Sequence, residues 1–266
     1  MNKTVTNKSA TIDILMATYR PNLKYFKESL NSIAAQTYQN YRLILVNDGS
    51  DEEELQAILS QYSFSWTVIT NSENIGLTKS LNKGLLYCNA EYIARFDDDD
   101  VMEPNRLETQ VSYMETNQEC AAVFSNIIRI DESGNYLQKY ETDDNDKIIS
   151  FLCMRGNCLC HSSLLIRKDI LEQLSGYDPL MLYAQDYDLY LRLIEKHKIY
   201  KLPQPLVKFR VGSNRTSTKK SVMSLLCGYY ASLKRISKNH NVFEFMSRTA
   251  RTIVGMYKIV FLNKIS

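Results

Sequence analysis

Four consecutive aspartates, Asp97 to Asp100, follow a short apolar segment that ends at Phe96. Adjacent carboxylates repel one another, so a fold tolerates them mainly where a cation neutralises them or where they face water. Carboxylate oxygens at the end of a strand suit Mg²⁺ or Mn²⁺, which keep coordination positions open for the oxygens of a diphosphate. The pattern predicts a metal site, and the alternative is a solvated acidic loop that caps the next helix.

A second candidate carboxylate, Asp48, follows another apolar run in the sequence VNDGS. A carboxylate in this position can accept hydrogen bonds from a nucleobase imide or a ribose hydroxyl, while Gly49 allows a sharp backbone turn. The same residues would also suit an Asx turn that caps a helix, with no ligand involved. Asp48 is therefore a candidate nucleotide contact with a structural alternative.

A third carboxylate, Asp186, lies in the segment AQDYD at 184–188, after the polar turn GYDP at 176–179. Transfer of a group to a hydroxyl needs a base within hydrogen-bond reach, and a carboxylate can act as that base. Asp186 and Asp188 would equally serve as acids at a helix start, where the macrodipole favours negative charge. Asp186 is the candidate base, and helix stabilisation is the alternative.

The elements that position these residues follow from hydrophobic periodicity. Four strand–helix units in succession fill the first half of the chain, which predicts an α/β fold with a mostly parallel central sheet and helices on both faces. In such a sheet, ligands bind outside the carboxyl ends of the strands. The loops expected to line one cleft are 18–21, 47–50, 71–76 and 97–100.

The second half of the chain is less regular. The segment IYKLPQPLVKFRV predicts paired strands interrupted by Pro203 and Pro205, and two amphipathic helices are expected near 221–236 and 242–262. The other expected elements are a hairpin turning at 133–135, a helix near 145–153, a strand in SSLLIRK, a short helix at 168–174 and a helix at 186–196.

Composition and charge narrow the class of protein. A chain of 266 residues with 44% hydrophobic residues fits one large α/β domain with an appendage, and the absence of repeats or low-complexity tracts excludes a solenoid or a disordered protein. The net charge of +2 hides a basic tail, because nine basic residues after position 217 accompany a single acid, Glu244. A nucleic-acid partner is not expected.

The first residues are polar and lack the apolar core of a signal peptide, so we expect a cytoplasmic protein with six free cysteines. Cys153, Cys158, Cys160 and His161 lack the paired CxxC spacing of a zinc site, so zinc is not expected. No apolar run reaches the roughly 18 residues that span a bilayer. Any contact with the inner face of the cell membrane would therefore be peripheral.

Together these segments resemble glycosyltransferase family 2, the inverting enzymes of the GT-A fold, over roughly residues 12–217. ILMATYRP resembles the family's first-strand motif, LILVNDGSDE its nucleotide-binding loop, and NIGLTKSLNKGL its third loop and helix. YIARFDDDDVMEPNRLE resembles the metal motif, and HSSLLIRK, GYD and AQDYDLYLRL resemble the acceptor-side segments. The resemblance implies a GT-A (Rossmann-like) fold, extended here by C-terminal amphipathic helices.

The resemblance also implies roles for single residues. Asp99 corresponds to the direct metal ligand of the family's Asp-x-Asp motif, and Asp97 lies nearer the ribose or sugar. Asp186 aligns with the catalytic base, and Gln185 stands where many relatives have Glu. His161 resembles a histidine that approaches the metal or the donor sugar, with a structural role as the alternative. The residues expected to bind the donor nucleotide are Thr18, Tyr19, Arg20, Asp48, Asn74, Gly76, Lys79, Arg95, Asp97 and Asp98.

Several positions are ambiguous or depart from the family pattern. Lys79 and Arg95 could approach the diphosphate or make ordinary ion pairs. Asp98 occupies the variable middle position of the Asp-x-Asp motif, where relatives often carry a small residue. Gly212 stands where relatives often have a histidine, so a side-chain contact to metal or phosphate is lost there.

The implied function is inverting transfer of a sugar from a nucleoside diphosphate sugar, with uridine diphosphate preferred by resemblance, to an acceptor hydroxyl. Mn²⁺ or Mg²⁺ is the implied cofactor. The implied acceptor is a saccharide, free or lipid-linked, in bacterial surface glycan synthesis. One alternative is a non-catalytic sugar-nucleotide-binding module. The other is a nucleotidyltransferase, although the chain has no GxxxxGK loop for a triphosphate.

The expected organisation is a catalytic domain at 1–217 and a basic helical extension at 218–266. Within the catalytic domain, residues 11–100 form the nucleotide-binding half and residues 101–217 the acceptor-binding half. Basic amphipathic helices can lie on an anionic leaflet. They can equally pack against the catalytic domain or another subunit, as in a homo-oligomer, and the sequence leaves both alternatives open.

Overall fold

The computed structural model describes residues 12–140, 145–154, 156–212, 222–239 and 242–257. The first half contains β1 (Ile12–Thr18), α1 (Leu23–Ala34), β2 (Tyr41–Asn47), α2 (Glu52–Leu59), β3 (Ser65–Thr70), α3 (Leu77–Leu85) and β4 (Tyr92–Arg95). The second half contains β5 (Val101–Met102), α4 (Arg106–Thr116), β6 (Cys120–Ile130), β7 (Tyr136–Tyr140), α5 (Asn145–Met154), a 3₁₀ turn (His161–Ser163), β8 (Leu165–Arg167), α6 (Lys168–Gln173), α7 (Gln185–Ile194), β9 (Lys198–Arg210), α8 (Val222–Asn239) and α9 (Val242–Tyr257).

The described strands form a single sheet in the order β3-β2-β1-β4-β8-β6-β9-β5, with β7 paired to β6. Strands β1 to β4 are mutually parallel, as the four strand–helix units predict. Beyond β4 the sheet is mixed, since β8 runs antiparallel to both β4 and β6 while β9 runs parallel to β6. The α/β class is confirmed, and the antiparallel pairs come from the irregular second half.

The core lies on both faces of this sheet. Every residue of β1 is buried, because the strand lies between β2 and β4 and is covered by helices on each side. Helix α1 buries the stripe of Phe26, Leu30 and Ile33, and Asn22 caps its first turn by accepting hydrogen bonds from two backbone N–H groups. This packing fixes the carboxyl ends of β1 and β2 next to each other.

The segment predicted as two strands interrupted by prolines is one strand, β9, so that prediction was wrong. Strand β9 pairs with β6 along its length, and the register shifts around Asn126, which faces Pro205. The Asn126 side-chain amide donates to the Pro203 carbonyl at 2.8 Å. Because proline lacks an N–H, the shift in register lets the ladder continue past both prolines.

The expected C-terminal helices are present as α8 and α9, and residues 258–262 of the second one lie outside the described residues. One face of α8 packs on α7, where Ala231 and Ser232 are buried and Ser232 Oγ lies 3.2 Å from Tyr187 Oη. The C-terminal extension therefore packs against the preceding α/β body, which is one of the alternatives that the sequence left open. None of the described helices is long and apolar enough to cross a membrane.

Lys234 of α8 fastens this packing electrostatically. Its ammonium group lies 2.6 Å from Asp178 Oδ2 and 2.9 Å from Asp188 Oδ1. Asp188 is buried at the start of α7, where it also pairs with Arg192 at 2.8 Å. Burial raises the pKa of Asp178, but the hydrogen bond from Lys234 lowers it overall. Lys234 thus links α8 to the segments GYD and AQDYDLYLRL.

We expect Lys234→Met to lower the unfolding free energy by about 1–3 kcal/mol, less than for a fully buried pair because the lysine is partly exposed. The loss should be largest near neutral pH. It should shrink as the pH falls through the lowered pKa of Asp178, since protonation removes that carboxylate's share of the pairing. Chemical denaturation at several pH values measures this. The matched control is Lys27→Met, because Lys27 is an exposed lysine on α1. Equal stability of the two variants would contradict the prediction.

Candidate active site

The loops after β1, β2, β3 and β4 meet at one edge of the sheet, as the parallel strands require. Thr18 Oγ1 donates to Asp98 Oδ2 at 2.5 Å, which joins the first loop to the acidic loop. The backbone N–H of Asp48 donates to the Thr18 carbonyl at 2.8 Å, which joins the first loop to the second. Three of the four predicted loops are thus in direct contact.

Asp48 holds the third loop in place. Its buried carboxylate accepts hydrogen bonds from Asn71 Nδ2 at 2.8 Å and from the backbone N–H groups of Ile75 at 2.9 Å and Gly76 at 3.0 Å. Gly49 has a φ of +89°, and a Cβ there would lie 3.0 Å from the backbone nitrogen of Asn74. The sequence did not reveal this structural role, and the nucleobase contact of Asp48 stays a prediction.

Tyr19 and Arg20 are exposed on the outer side of the first loop. Arg20 has a positive φ of 46°, and its backbone N–H donates to Ser50 Oγ at 2.6 Å. Its guanidinium lies 5.2 Å from the centroid of the exposed Tyr19 ring. The predicted donor residues Asn74 and Lys79 are also exposed. A cleft of about 380 Å³ opens beside this loop, lined by Arg20, Pro21, Leu23, Gly49, Ser50, Asp51, Glu54 and Leu55.

The four aspartates of the acidic loop have different environments. Asp97 and Asp98 are held by side chains, Ser162 Oγ donating to Asp97 Oδ2 at 2.7 Å and Thr18 donating to Asp98. Asp100 is buried, and its Oδ1 accepts from the backbone N–H of Arg210 at 2.9 Å. Asp99 is partly exposed at the same edge of the sheet.

Arg210, at the end of β9, organises the acidic loop. Its Nε donates to the Asp99 carbonyl at 2.9 Å, and its guanidinium stacks 4.3 Å from the Tyr25 ring centroid and pairs with Glu28. Sequence reasoning noted this segment only for the histidine missing at Gly212. The available signal was an arginine that ends a buried strand, where its charge needs partners.

Arg95 lies beneath the acidic loop and is almost fully buried. Its Nη1 lies 2.5 Å from Asp97 Oδ1. Burial lowers the pKa of Arg95, but Asp97 and Tyr177 more than offset that effect and keep the side chain charged. Of the two alternatives for Arg95, the structure shows an ion pair, formed inside the protein with an acid of the predicted metal motif.

Asp186 lies in the first turn of α7, which begins after Ala184 in a left-handed conformation with φ of 56°. Asn157 Nδ2 donates to Asp186 Oδ2 at 2.6 Å, and the Tyr187 N–H donates to Oδ1 at 2.8 Å. Burial raises the pKa of Asp186, although these hydrogen bonds and the charge of Arg95 lower it in part. The candidate base is therefore more basic than an ordinary aspartate, and sequence reasoning missed its Asn157 partner.

His161 and Tyr177 link the acceptor-side segments to this cluster. His161 Nε2 lies 2.8 Å from Tyr177 Oη, and the two rings meet edge to face. Burial lowers the pKa of His161 well below its usual range, and the nearby Arg95 cation lowers it further. The imidazole is therefore neutral near pH 7. Nε2 of His161 is engaged by Tyr177 in this structure. The metal role of His161 stays a prediction.

The donor set fits a divalent cation that shares its ligands with a substrate. Within the described part of the chain, no group of three or more His, Cys, Asp or Glu side chains could hold a metal ion by itself. Mg²⁺ is typically bound by one or two carboxylates together with substrate phosphates and water. Asp99, partly exposed at the carboxyl edge of the sheet and with its backbone held by Arg210, fits that pattern.

Comparisons with known proteins identify the family to which this chain belongs. Residues 13–175 match the model of glycosyl transferase family 2, which is more than half of the chain. The chain is 32% identical to the uncharacterized glycosyltransferase MJ1057 of Methanocaldococcus jannaschii, over 87% of this chain and 81% of the relative. It is 31% identical to the O-antigen biosynthesis glycosyltransferase WbnJ of Escherichia coli, over 89% and 92%, and 32% identical to the amylovoran biosynthesis glycosyltransferase AmsE of Erwinia amylovora, over 73% of each.

The fold has close counterparts among solved structures. Staphylococcus aureus TarS 1-349 in complex with UDP-GlcNAc superposes with a TM-score of 0.69 at 14% identity, covering 90% of this chain and 72% of TarS 1-349. In the complex of the same protein with UDP, the TM-score is 0.66 and this chain spans 65% of that chain's length. At this identity the likeness shows a GT-A fold alone. The family model and the relatives over 30% identical show more than the fold. The chain belongs to glycosyl transferase family 2.

Proposed function

We propose that this protein transfers a sugar, with inversion, from a uridine diphosphate sugar to an acceptor hydroxyl, using Mn²⁺ or Mg²⁺. The observation that carries the proposal is the position of Arg95, which pairs with Asp97 and also acts electrostatically on Asp186. An acid of the predicted metal motif and the candidate base therefore flank one buried cation. We infer that a donor subsite and an acceptor subsite lie side by side around Arg95.

The donor would lie across the loops at the carboxyl edge of the sheet. Asp48 would contact the nucleobase, Lys79 would approach the diphosphate, and Asp97 would face the ribose or sugar. Thr18, Tyr19, Arg20, Asn74, Gly76 and Asp98 would complete the nucleotide contacts. Bound at Asp99, with His161 as a further candidate ligand, the cation would supply Lewis-acid stabilisation of the diphosphate leaving group.

The chemistry of this chain's own residues follows from Asp186. Its carboxylate would accept the proton of the acceptor hydroxyl as that oxygen bonds to the anomeric carbon. The bond from the anomeric carbon to the diphosphate oxygen would break on the opposite face, which inverts the centre. Asn157 would keep the carboxylate oriented, and the raised pKa of Asp186 makes proton acceptance more favourable. The neutral side chains of His161 and Tyr177, which contact each other, would line the site behind the donor sugar.

Substrate class is supported by the names of related proteins. TarS binds UDP and UDP-GlcNAc in its solved complexes, which favours a uridine nucleotide here. WbnJ and AmsE are named for O-antigen and amylovoran biosynthesis, which favours a saccharide acceptor here. We propose that this saccharide, free or lipid-linked, belongs to a surface polysaccharide. Within this proposal, residues 11–100 serve the donor, 101–217 serve the acceptor, and 218–266 form a basic extension.

Calorimetric titration of the purified chain with uridine, guanosine and thymidine diphosphates tests the donor site. We expect binding of uridine diphosphate in the presence of Mn²⁺, and a loss of at least about tenfold in affinity with excess chelator, because the cation offsets the charge of both the diphosphate and the acidic loop. Guanosine and thymidine diphosphates are the matched controls. If none of the three binds, the transferase proposal is contradicted, whereas preference for another nucleotide corrects only the choice of uridine.

A further inference from the structure

Two leucines project into solvent from the loop immediately before the candidate base. Leu180 is 76% exposed and Leu182 is 66% exposed. They flank Met181, which is buried and whose carbonyl accepts a hydrogen bond from Thr78 Oγ1 at 2.6 Å. Asp178 Oδ1 accepts from the Leu180 N–H at 2.9 Å. The loop backbone is therefore held from inside while both leucines face outward.

An apolar stripe on α8 leads to this loop. Met223, Leu226 and Tyr230 are all about half exposed, and their spacing of three and four residues places them on one face of the helix. Lys234 continues that face one turn later, with its ammonium group 5.5 Å from the Tyr230 ring centroid. The same ammonium group pairs with Asp178. The stripe therefore ends against the loop that carries Leu180.

Exposed apolar side chains of this size and continuity mark an interaction surface. Charge indicates the partner, since nine basic residues after position 217 accompany the single acid Glu244. Arg251 is exposed on α9, close in sequence to the exposed Ile253 and Val254. Exposed apolar residues in a chain segment of net positive charge complement an anionic lipid surface, where the side chains enter the headgroup region and the cations meet the lipid charges.

We propose that Leu180, Leu182 and the stripe of α8 form one surface that docks on an anionic membrane leaflet. Because α7 begins directly after this loop, docking sets the first turn of α7, with Asp186, close to the leaflet. An acceptor hydroxyl near the lipid headgroups would then lie within reach of the base. Docking of this surface does not require sugar transfer, so vesicle binding is independent of the proposed function.

Vesicle co-sedimentation of the full chain tests this surface. We expect binding to vesicles of mixed phosphatidylcholine and phosphatidylglycerol, weak binding to pure phosphatidylcholine, and weakening at high ionic strength. Combined replacement of Leu180, Leu182, Leu226 and Tyr230 by serine should lower the partition coefficient at least about tenfold, because these side chains would no longer leave water. Leu226 and Tyr230 are about half buried, so this variant should show a slightly lower thermal unfolding midpoint, whereas replacement of Leu180 and Leu182 alone should weaken vesicle binding at an unchanged midpoint.

Leu86→Ser is the matched control. Leu86 is 83% exposed after the last turn of α3, at the opposite end of the sheet, and its replacement should leave vesicle binding unchanged. The proposal is overturned if the wild-type chain does not bind anionic vesicles, or if the fourfold variant binds as well as the wild type. It is also overturned if ultracentrifugation shows a dimer that the fourfold variant abolishes, since the surface would then join two copies of this chain.

Discussion

We expect Asp186→Asn to abolish sugar transfer while nucleotide binding persists. The amide keeps the size of the side chain but cannot accept the hydroxyl proton, and loss of a positioned base lowers rates on the order of 10²–10⁴-fold. Asp186 lies in the first turn of α7 and is not among the residues assigned to the nucleotide, so affinity for uridine diphosphate should not change. Single-turnover transfer assays and calorimetry on the same protein samples measure the two properties separately.

The alternative for Asp186 is a helix-start acid, and stability distinguishes the two roles. Because the folded-state pKa is raised, the native protein binds a proton at Asp186 more tightly than the unfolded chain does. The ionised carboxylate therefore costs stability above its ordinary pKa. Asp186→Asn should leave the unfolding free energy at pH 7 unchanged or higher, whereas loss of a helix-dipole interaction would lower it.

Asp169→Asn provides the matched control for this prediction. Asp169 is an exposed acid in the first turn of α6, so its replacement removes a similar helix-start charge without touching the cluster around Arg95. We expect full activity from that variant. The raised pKa of Asp186 also places the acid limb of the wild-type rate profile above the ordinary aspartate value, with activity falling as pH falls. Transfer by Asp186→Asn at the wild-type rate would remove the residue from the mechanism.

Asp99→Ala should abolish the metal dependence of nucleotide binding. Asp99 is the acid of the loop that we assign to the cation, and its backbone is held by Arg210 whichever side chain is present. We expect affinity for uridine diphosphate with Mn²⁺ to fall at least about tenfold, to the value that the wild type shows with chelator, because diphosphate and cation bind together. Calorimetry gives this result without any assay of transfer.

Glu53→Ala controls for the loss of one negative charge. Glu53 is exposed in the first turn of α2, the helix that follows the second loop, so it lies near the same edge of the sheet but outside the acidic loop. Its replacement should preserve the difference in affinity between Mn²⁺ and chelator. If Asp99→Ala keeps that difference as well, the metal is bound elsewhere in the acidic loop or not at all, and the assignment of Asp99 is wrong. An unchanged unfolding midpoint would show that the loop itself persists.

Local pattern alone was sufficient for the first half of the fold. The alternation of apolar runs and amphipathic helices predicted β1 to β4 in parallel, because a helix between two strands returns the chain to the same end of the sheet. That topology in turn predicted that the loops at Thr18, Asp48 and Asp97 would meet. Family resemblance then assigned roles to the carboxylates that their positions had already singled out, and the family assignment is confirmed.

The tertiary structure alone decided what each charge touches. Arg95 and Asp97 are separated by a single residue, yet only burial of that strand end makes them an internal pair. Asp48 bonds to the third loop, and Lys234 reaches Asp178 across 56 residues. Strand β9 continues past its two prolines because its register with β6 shifts around Asn126. Sequence periodicity carries information about nearest neighbours along the chain. Long-range ion pairs and register depend on how the elements pack, so only the folded structure could determine them.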